Sequence, residues 1–92
     1  MSSEYVMSEE EKRALQFAKT EWPDRDRARL YCNIGAKKFF LIWRSTEHGF
    51  AGPQRFIAEK NGKYWWIDDA ERYAMRLFIA AEKKKEENTP SH

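Results

Sequence analysis

Few side chains in this 92-residue sequence combine the type and the spacing that catalysis needs. Its two histidines, His48 and His92, stand far apart, and neither has a second ligand at metal-site spacing, so no metal site is expected. Cys32 is the only cysteine. It alternates with Leu30 and Ile34, which is the pattern of a small buried hydrophobe, and a Cys–His nucleophile with His48 is the competing reading. Asp68 and Asp69 have the chemistry of an acid/base or Mg²⁺-binding carboxylate pair. They also stand immediately before apolar residues at helical spacing, where an aspartate caps a helix, and that explanation is preferred. The loop from Gly49 to Gly52 lacks the Lys-Ser/Thr ending of a phosphate loop and precedes a strand. No catalytic residue and no cofactor is therefore expected, and the chain reads as a non-enzyme.

What remains is a recurring mixture of rings and cations: Arg29, Tyr31, Lys38, Phe40, Arg44, Arg55, Tyr64 and Trp66. Nucleic-acid bases stack on such rings, guanidinium groups stack or hold phosphate, and a basic field speeds encounter. The charge is segregated in a way that suits this reading. A net charge of +2 hides −3 over residues 1–26, +6 over residues 27–67 and −1 over residues 68–92. The same residue types dominate protein–protein hot spots, so a partner protein competes with nucleic acid for this set. A second core layer competes with both.

These side chains must be positioned by elements legible in the sequence. Ser8, with Glu11 three residues on, is a capping-box signal, and Ala14, Leu15, Phe17 and Ala18 give a short apolar stripe before Pro23, predicting a helix over about 8–21. Four strand-like runs follow, at 29–34, 38–44, 54–60 and 63–67, each rich in aromatic or branched residues. Asn61-Gly62 is a type I′ hairpin signal that sets Glu59 opposite Tyr64, Ala58 opposite Trp65, Ile57 opposite Trp66, Phe56 opposite Ile67 and Arg55 opposite Asp68. A two-residue turn at Gly35-Ala36 sets Cys32 opposite Phe39, Tyr31 opposite Phe40 and Leu30 opposite Leu41. Residues 45–53, with His48 and Phe50, are too long and glycine-rich for a tight turn and read as a flap. After Asp68 or Asp69, Ala70, Tyr73, Ala74, Leu77, Phe78 and Ala81 follow helical spacing, and Lys83, Lys84 and Lys85 place positive charge at the helix end.

The expected fold class is α+β: an N-terminal helix, a four-stranded antiparallel meander and a C-terminal helix packed on one sheet face. Residues 1–7 are expected to form a flexible N-terminus, 8–85 a single domain and 86–92 a disordered tail. Alternation along the strands sorts side chains into two faces. The first collects Leu30, Cys32, Ile34, Phe39, Leu41, Trp43, Phe56, Ala58, Trp65 and Ile67, with Lys37, Lys60 and Lys63 only at hairpin ends, and suits the apolar stripe of the last helix. The second collects Arg29, Tyr31, Lys38, Phe40, Ile42, Arg44, Arg55, Ile57, Tyr64 and Trp66, with Glu59 and Asp68. Met75 and Ile79 fall off the last helix's stripe and suit contact with a neighbouring helix. If that neighbour is helix 1, the second face stays open; the alternative is a sandwiched sheet with helix 1 on the second face.

A chain of this size holds one core. No run approaches the roughly 18 apolar residues of a membrane span, and the start lacks a signal-peptide pattern, so no membrane association is expected. A lone cysteine fits a reducing compartment, hence a cytoplasmic expectation. The order helix, strands, helix resembles double-stranded RNA-binding domains in outline, and the strands-then-helix part resembles AP2-type and integrase arm-type DNA-binding domains. Where the RNA-binding family has lysines at the start of its last helix, this chain has Asp68-Asp69-Ala70-Glu71. Size and the lack of a catalytic motif resemble small accessory proteins of phages and mobile elements. The leading expectation is a binding module for nucleic acid, or a nucleic-acid-associated protein, that uses the second face. The alternative is a protein-binding regulator or inhibitor.

Overall fold

A computed structural model describes residues 6–45 and 54–88. Helix α1 (Glu9–Lys19) is followed by strands β1 (Arg27–Ile34), β2 (Lys37–Trp43), β3 (Arg55–Lys60) and β4 (Lys63–Trp66), and by helix α2 (Asp69–Asn88). The sheet is a four-stranded antiparallel meander in the order β1-β2-β3-β4. The predicted fold class is therefore the observed one. The expected flap, with His48 and Phe50, lies outside the described residues, as do residues 1–5 and 89–92. Two boundaries differ from expectation: Met7 packs against the core beside α1, and α2 continues through residues 86–88.

Local chemistry accounts for the element ends. Ser8 caps α1: its Oγ accepts the Glu11 N–H at 3.2 Å, and Glu11 Oε1 accepts the Ser8 N–H at 2.8 Å, completing the capping box. Asp68 caps α2 by accepting the Glu71 N–H at 2.8 Å, which gives that carboxylate a structural task. At the β3–β4 turn Asn61 and Gly62 both adopt positive φ, 55° and 81°, as a type I′ turn requires. Gly35 (φ 62°) is the one positive-φ residue of the β1–β2 turn, the position where a type II′ turn takes glycine.

The register of β3 with β4 is the predicted one from Glu59–Tyr64 to Ile57–Trp66, and the Ile67 N–H donates to the Phe56 carbonyl just beyond it. The register of β1 with β2 is not. Cys32 pairs with Phe39 as expected, but Leu30 pairs with Phe40 and Arg29 with Leu41, because Tyr31 is an extra residue in a β-bulge. Upstream of the bulge every side chain changes face. Leu30 moves to the face of Phe40, while Arg29 and Tyr31 join the face of Leu41 and Phe56.

Both faces of the sheet are covered. Leu15 and Ala18 of α1 pack on Ala28, Ile42 and Ile57. Met75 of α2 packs on Phe39, Leu41, Phe56 and Ala58, with Ile79, Trp43 and Trp65 around them. The expectation that α1 lies beside α2 and leaves the second face open is thereby corrected: the sheet is sandwiched. The reason lies in the residues of that face. Ile42, Ile57 and Phe40 form an apolar strip that must leave water, and the Leu15 and Ala18 stripe fits it. The sheet-facing side of α2 is corrected as well. Glu71 accepts from Lys37 Nζ at 2.8 Å and from Trp65 Nε1 at 3.1 Å, and Arg72 lies over the Phe56 ring at 5.6 Å. These contacts fix the roll of the helix so that Met75 and Ile79 enter the core. Tyr73 and Leu77, from the expected core stripe, are 65% and 53% exposed, and Ala70, Ala74 and Ala81 are exposed with them.

Candidate nucleic-acid interface

The eight residues expected to form one binding face are dispersed. Phe40 is 1% exposed beneath α1. Lys38 is paired with Glu10 of α1, and that hydrogen bond, more than any other influence, raises the affinity of its ammonium for its proton. Arg44 pairs with Asp24 at 3.1 Å in the turn after α1. Arg27 is likewise beside Asp26 at 3.8 Å, and Lys37 is held by Glu71 at 2.8 Å. Four of the eight basic side chains in the middle of the chain are thus paired, because folding brings the acidic flanking segments against them.

Arg55, Tyr64 and Trp66 stay together at the β4 edge, but as a packed stack rather than an open platform. Trp66 lies 6.1 Å from both Phe17 and Trp22, Tyr64 stacks on Phe17 at 5.9 Å, and the Arg55 guanidinium lies 4.0 Å from the Trp66 ring centre. Trp22 meets Trp66 edge-on, the buried Arg25 sits 3.7 Å from the Trp22 ring centre, and Arg55 is also 5.6 Å from that ring, so two arginines and two tryptophans form one cluster. Half-burial of Tyr64 disfavours its phenolate and raises its pKa above the ordinary value, with Glu59 adding to the effect. Arg55 belongs to this cluster and forms no ion pair with Asp68.

Arg29 and Tyr31, the two residues moved by the bulge, come together elsewhere. With Leu30, Leu41, Gln54, Phe56, Arg72 and Arg76 they line a cleft of about 520 Å³ between the sheet and the first half of α2. Three of its lining residues are arginines and none is acidic. Tyr31 is 47% exposed and its ring meets Phe56 edge-on, with centroids 4.9 Å apart. The Arg72 guanidinium also lies over Phe56, 5.6 Å from the ring centre, and its Nε is buried without a protein acceptor. Arg76 follows one helical turn later and is exposed. An aromatic pair edged by guanidinium groups, in a concavity free of carboxylates, has the chemistry to hold an anionic ligand with a planar part. Sequence reading placed Arg29 and Tyr31 among site residues but set them on the wrong face, and it did not select Arg72 or Arg76. Their spacing of four on a helix was the available signal, hidden because the helix was given a different roll.

Cys32 lies on the α2 side, next to the cleft, and burial pushes its thiol pKa above the ordinary value. Among the described residues no group of three or more His, Cys, Asp or Glu is placed to hold a metal ion. No described helix is long and apolar enough to cross a membrane. Comparison with protein-family models, with curated proteins and with solved structures finds no match for this chain.

Proposed function

We propose that this chain is a non-enzymatic binding module that engages nucleic acid through the cleft between β1 and α2, with single strands preferred. One observation carries this reading: Arg29, Arg72 and Arg76 line one concavity with Tyr31 and Phe56, and no carboxylate shares it. Guanidinium groups bind phosphate in forked geometry, and an exposed tyrosine offers any base a stacking face. A duplex is less suited, because a base must leave its stack to reach a ring inside a cleft. The volume is within the range of pockets that bind small organic groups, enough for one nucleotide unit to enter. A cytoplasmic setting belongs to the same proposal, since a lone unpaired thiol suits a reducing compartment.

Fluorescence anisotropy with labelled single- and double-stranded oligonucleotides, across a salt series, tests it. Affinity should fall linearly with the logarithm of salt concentration, and Arg72→Ala and Arg76→Ala should each weaken binding and reduce the slope by about one counterion. Lys12→Ala, on the outer face of α1, should leave both unchanged. Absence of binding at low salt would overturn the proposal.

A further inference from the structure

The outward side of α2 is apolar over three turns and faces away from the sheet. Ala70, Tyr73, Ala74, Leu77, Ala80 and Ala81 are all exposed, and no charged residue interrupts that arc. Met75 and Ile79 on the opposite side are in the core. A helix apolar on both sides normally has both sides covered.

We infer that this stripe is a self-association surface on which two copies pair their α2 helices antiparallel, about a two-fold axis at Leu77. Charge and size choose this occupant. Asp68 and Asp69 stand at the start of the helix, Lys83 and Lys84 near its end, and all four are exposed. Antiparallel pairing sets the acidic end of each helix against the basic end of the other, with Lys84 facing Asp69 of the second copy. Parallel pairing would set like charges together. Size follows the same symmetry. With Leu77 meeting its own copy, Tyr73 falls opposite Ala80 and Ala81, so each large ring meets small side chains that let the helices approach. In the parallel arrangement tyrosine meets tyrosine and the alanine end is left with a gap. A two-fold contact of this kind is self-complementary by construction. Confined to one helix face, it falls below the roughly 1,200 Å² of standard interfaces, so the dimer is weak, with a Kd on the order of 10–100 μM. It does not depend on what fills the arginine cleft, which is lined by a different side of α2.

Sedimentation equilibrium over a concentration series tests the association. A reversible monomer–dimer equilibrium is expected, and Leu77→Glu should raise Kd by about tenfold or more by burying a charge at the axis. Ala74→Glu should do the same, and circular dichroism would confirm that both variants remain folded. A wild-type chain that stays monomeric to millimolar concentration, or a dimer untouched by both variants, would overturn the inference. Orientation is read by disulfide trapping in a Cys32→Ala background. Leu77→Cys should cross-link to itself, Ala70→Cys should not, and a mixture of Ala70→Cys with Lys84→Cys should give the heterodimer. Efficient self-cross-linking of Ala70→Cys would mean parallel pairing and would defeat the proposal.

Discussion

Glu11 Oε2 accepts the Leu30 N–H at 2.7 Å, while Oε1 of the same carboxylate accepts the Ser8 N–H at 2.8 Å. One buried side chain thus closes the start of α1 and holds the edge strand β1 at its bulge. It links the helix on one face to the strand that delivers Arg29 and Tyr31 to the other.

Replacing that carboxylate by an amide keeps its shape but leaves one acceptor oxygen for two N–H donors, so one hydrogen bond is lost and the other loses its charge. Glu11→Gln should lose about 1–3 kcal/mol of stability, the range for charge-assisted hydrogen bonds to buried backbone donors. Urea unfolding at pH 7 reads this as a lower midpoint at an unchanged slope. An unaltered midpoint would show that the bridge contributes nothing net.

Trp66 and Arg76 separate stability from binding. Trp66 packs between Phe17 and Trp22 under Arg55, so Trp66→Ala should cost about 2–4 kcal/mol, as truncation of a partly buried large aromatic does. Oligonucleotide affinity measured well below its melting temperature should stay within twofold. Arg76→Ala, at an exposed helical site, should show the reverse pattern. Strong loss of binding in Trp66→Ala with the fold intact would return the interface to the β4 edge.

The Cys32 thiol is raised by burial, so it holds less thiolate at neutral pH than a free cysteine. Alkylation by iodoacetamide at pH 7.5 should be several-fold slower than for a small-molecule thiol. It should recover the ordinary rate in denaturant. Fast labelling of the folded protein would mean that the contact between α2 and β1 opens readily.

Asp26 gives a stability term that depends on acid. Burial alone would raise its carboxyl pKa. The hydrogen bonds from the Ser45 hydroxyl at 2.7 Å and N–H at 2.8 Å, with the Arg27 charge, outweigh this and lower it below 3.8. The folded state therefore binds this proton less readily than the unfolded chain. The contribution is fully present above about pH 5, begins to fade below that, and is lost as pH falls through the depressed folded value. Stability measured from pH 2 to 7 should show a shallower acid limb in Asp26→Asn. Ser45→Ala, which keeps only the backbone hydrogen bond, should fall between it and the wild type. Identical acid limbs in all three chains would remove Asp26 from the account.

The elements were legible because their signals are local. Ser8 with Glu11, Asn61-Gly62 and Asp68 each act within a few residues, and each did in the structure what its chemistry implies. The two misplacements share one physical cause, which is that rotation about an element's axis is set by distant partners. Strand alternation was carried from Gly35-Ala36 through Tyr31 without a break, and no residue type there announces a bulge whose N–H group is taken by Glu11. On α2 the longer apolar stripe was assigned to the core. Lys37, Trp65 and Phe56 instead roll the helix toward Met75, through contacts with Glu71 and Arg72. Hence the candidate site was half visible: its ring and one arginine were singled out, and the helix arginines were not.

Tyr31 has a peculiar standing in this chain. With that residue skipped, Ala28, Arg29, Leu30, Cys32, Asn33 and Ile34 alternate between the two faces without interruption, and their pairings with β2 already follow that order. It is a supernumerary letter in an otherwise regular word. Its removal would shorten the strand by one residue while leaving every neighbour on the side it now occupies. The cleft's exposed ring could thus have been gained, and could be lost, by a change of chain length rather than of residue type, with every other strand residue still facing the side it faces now.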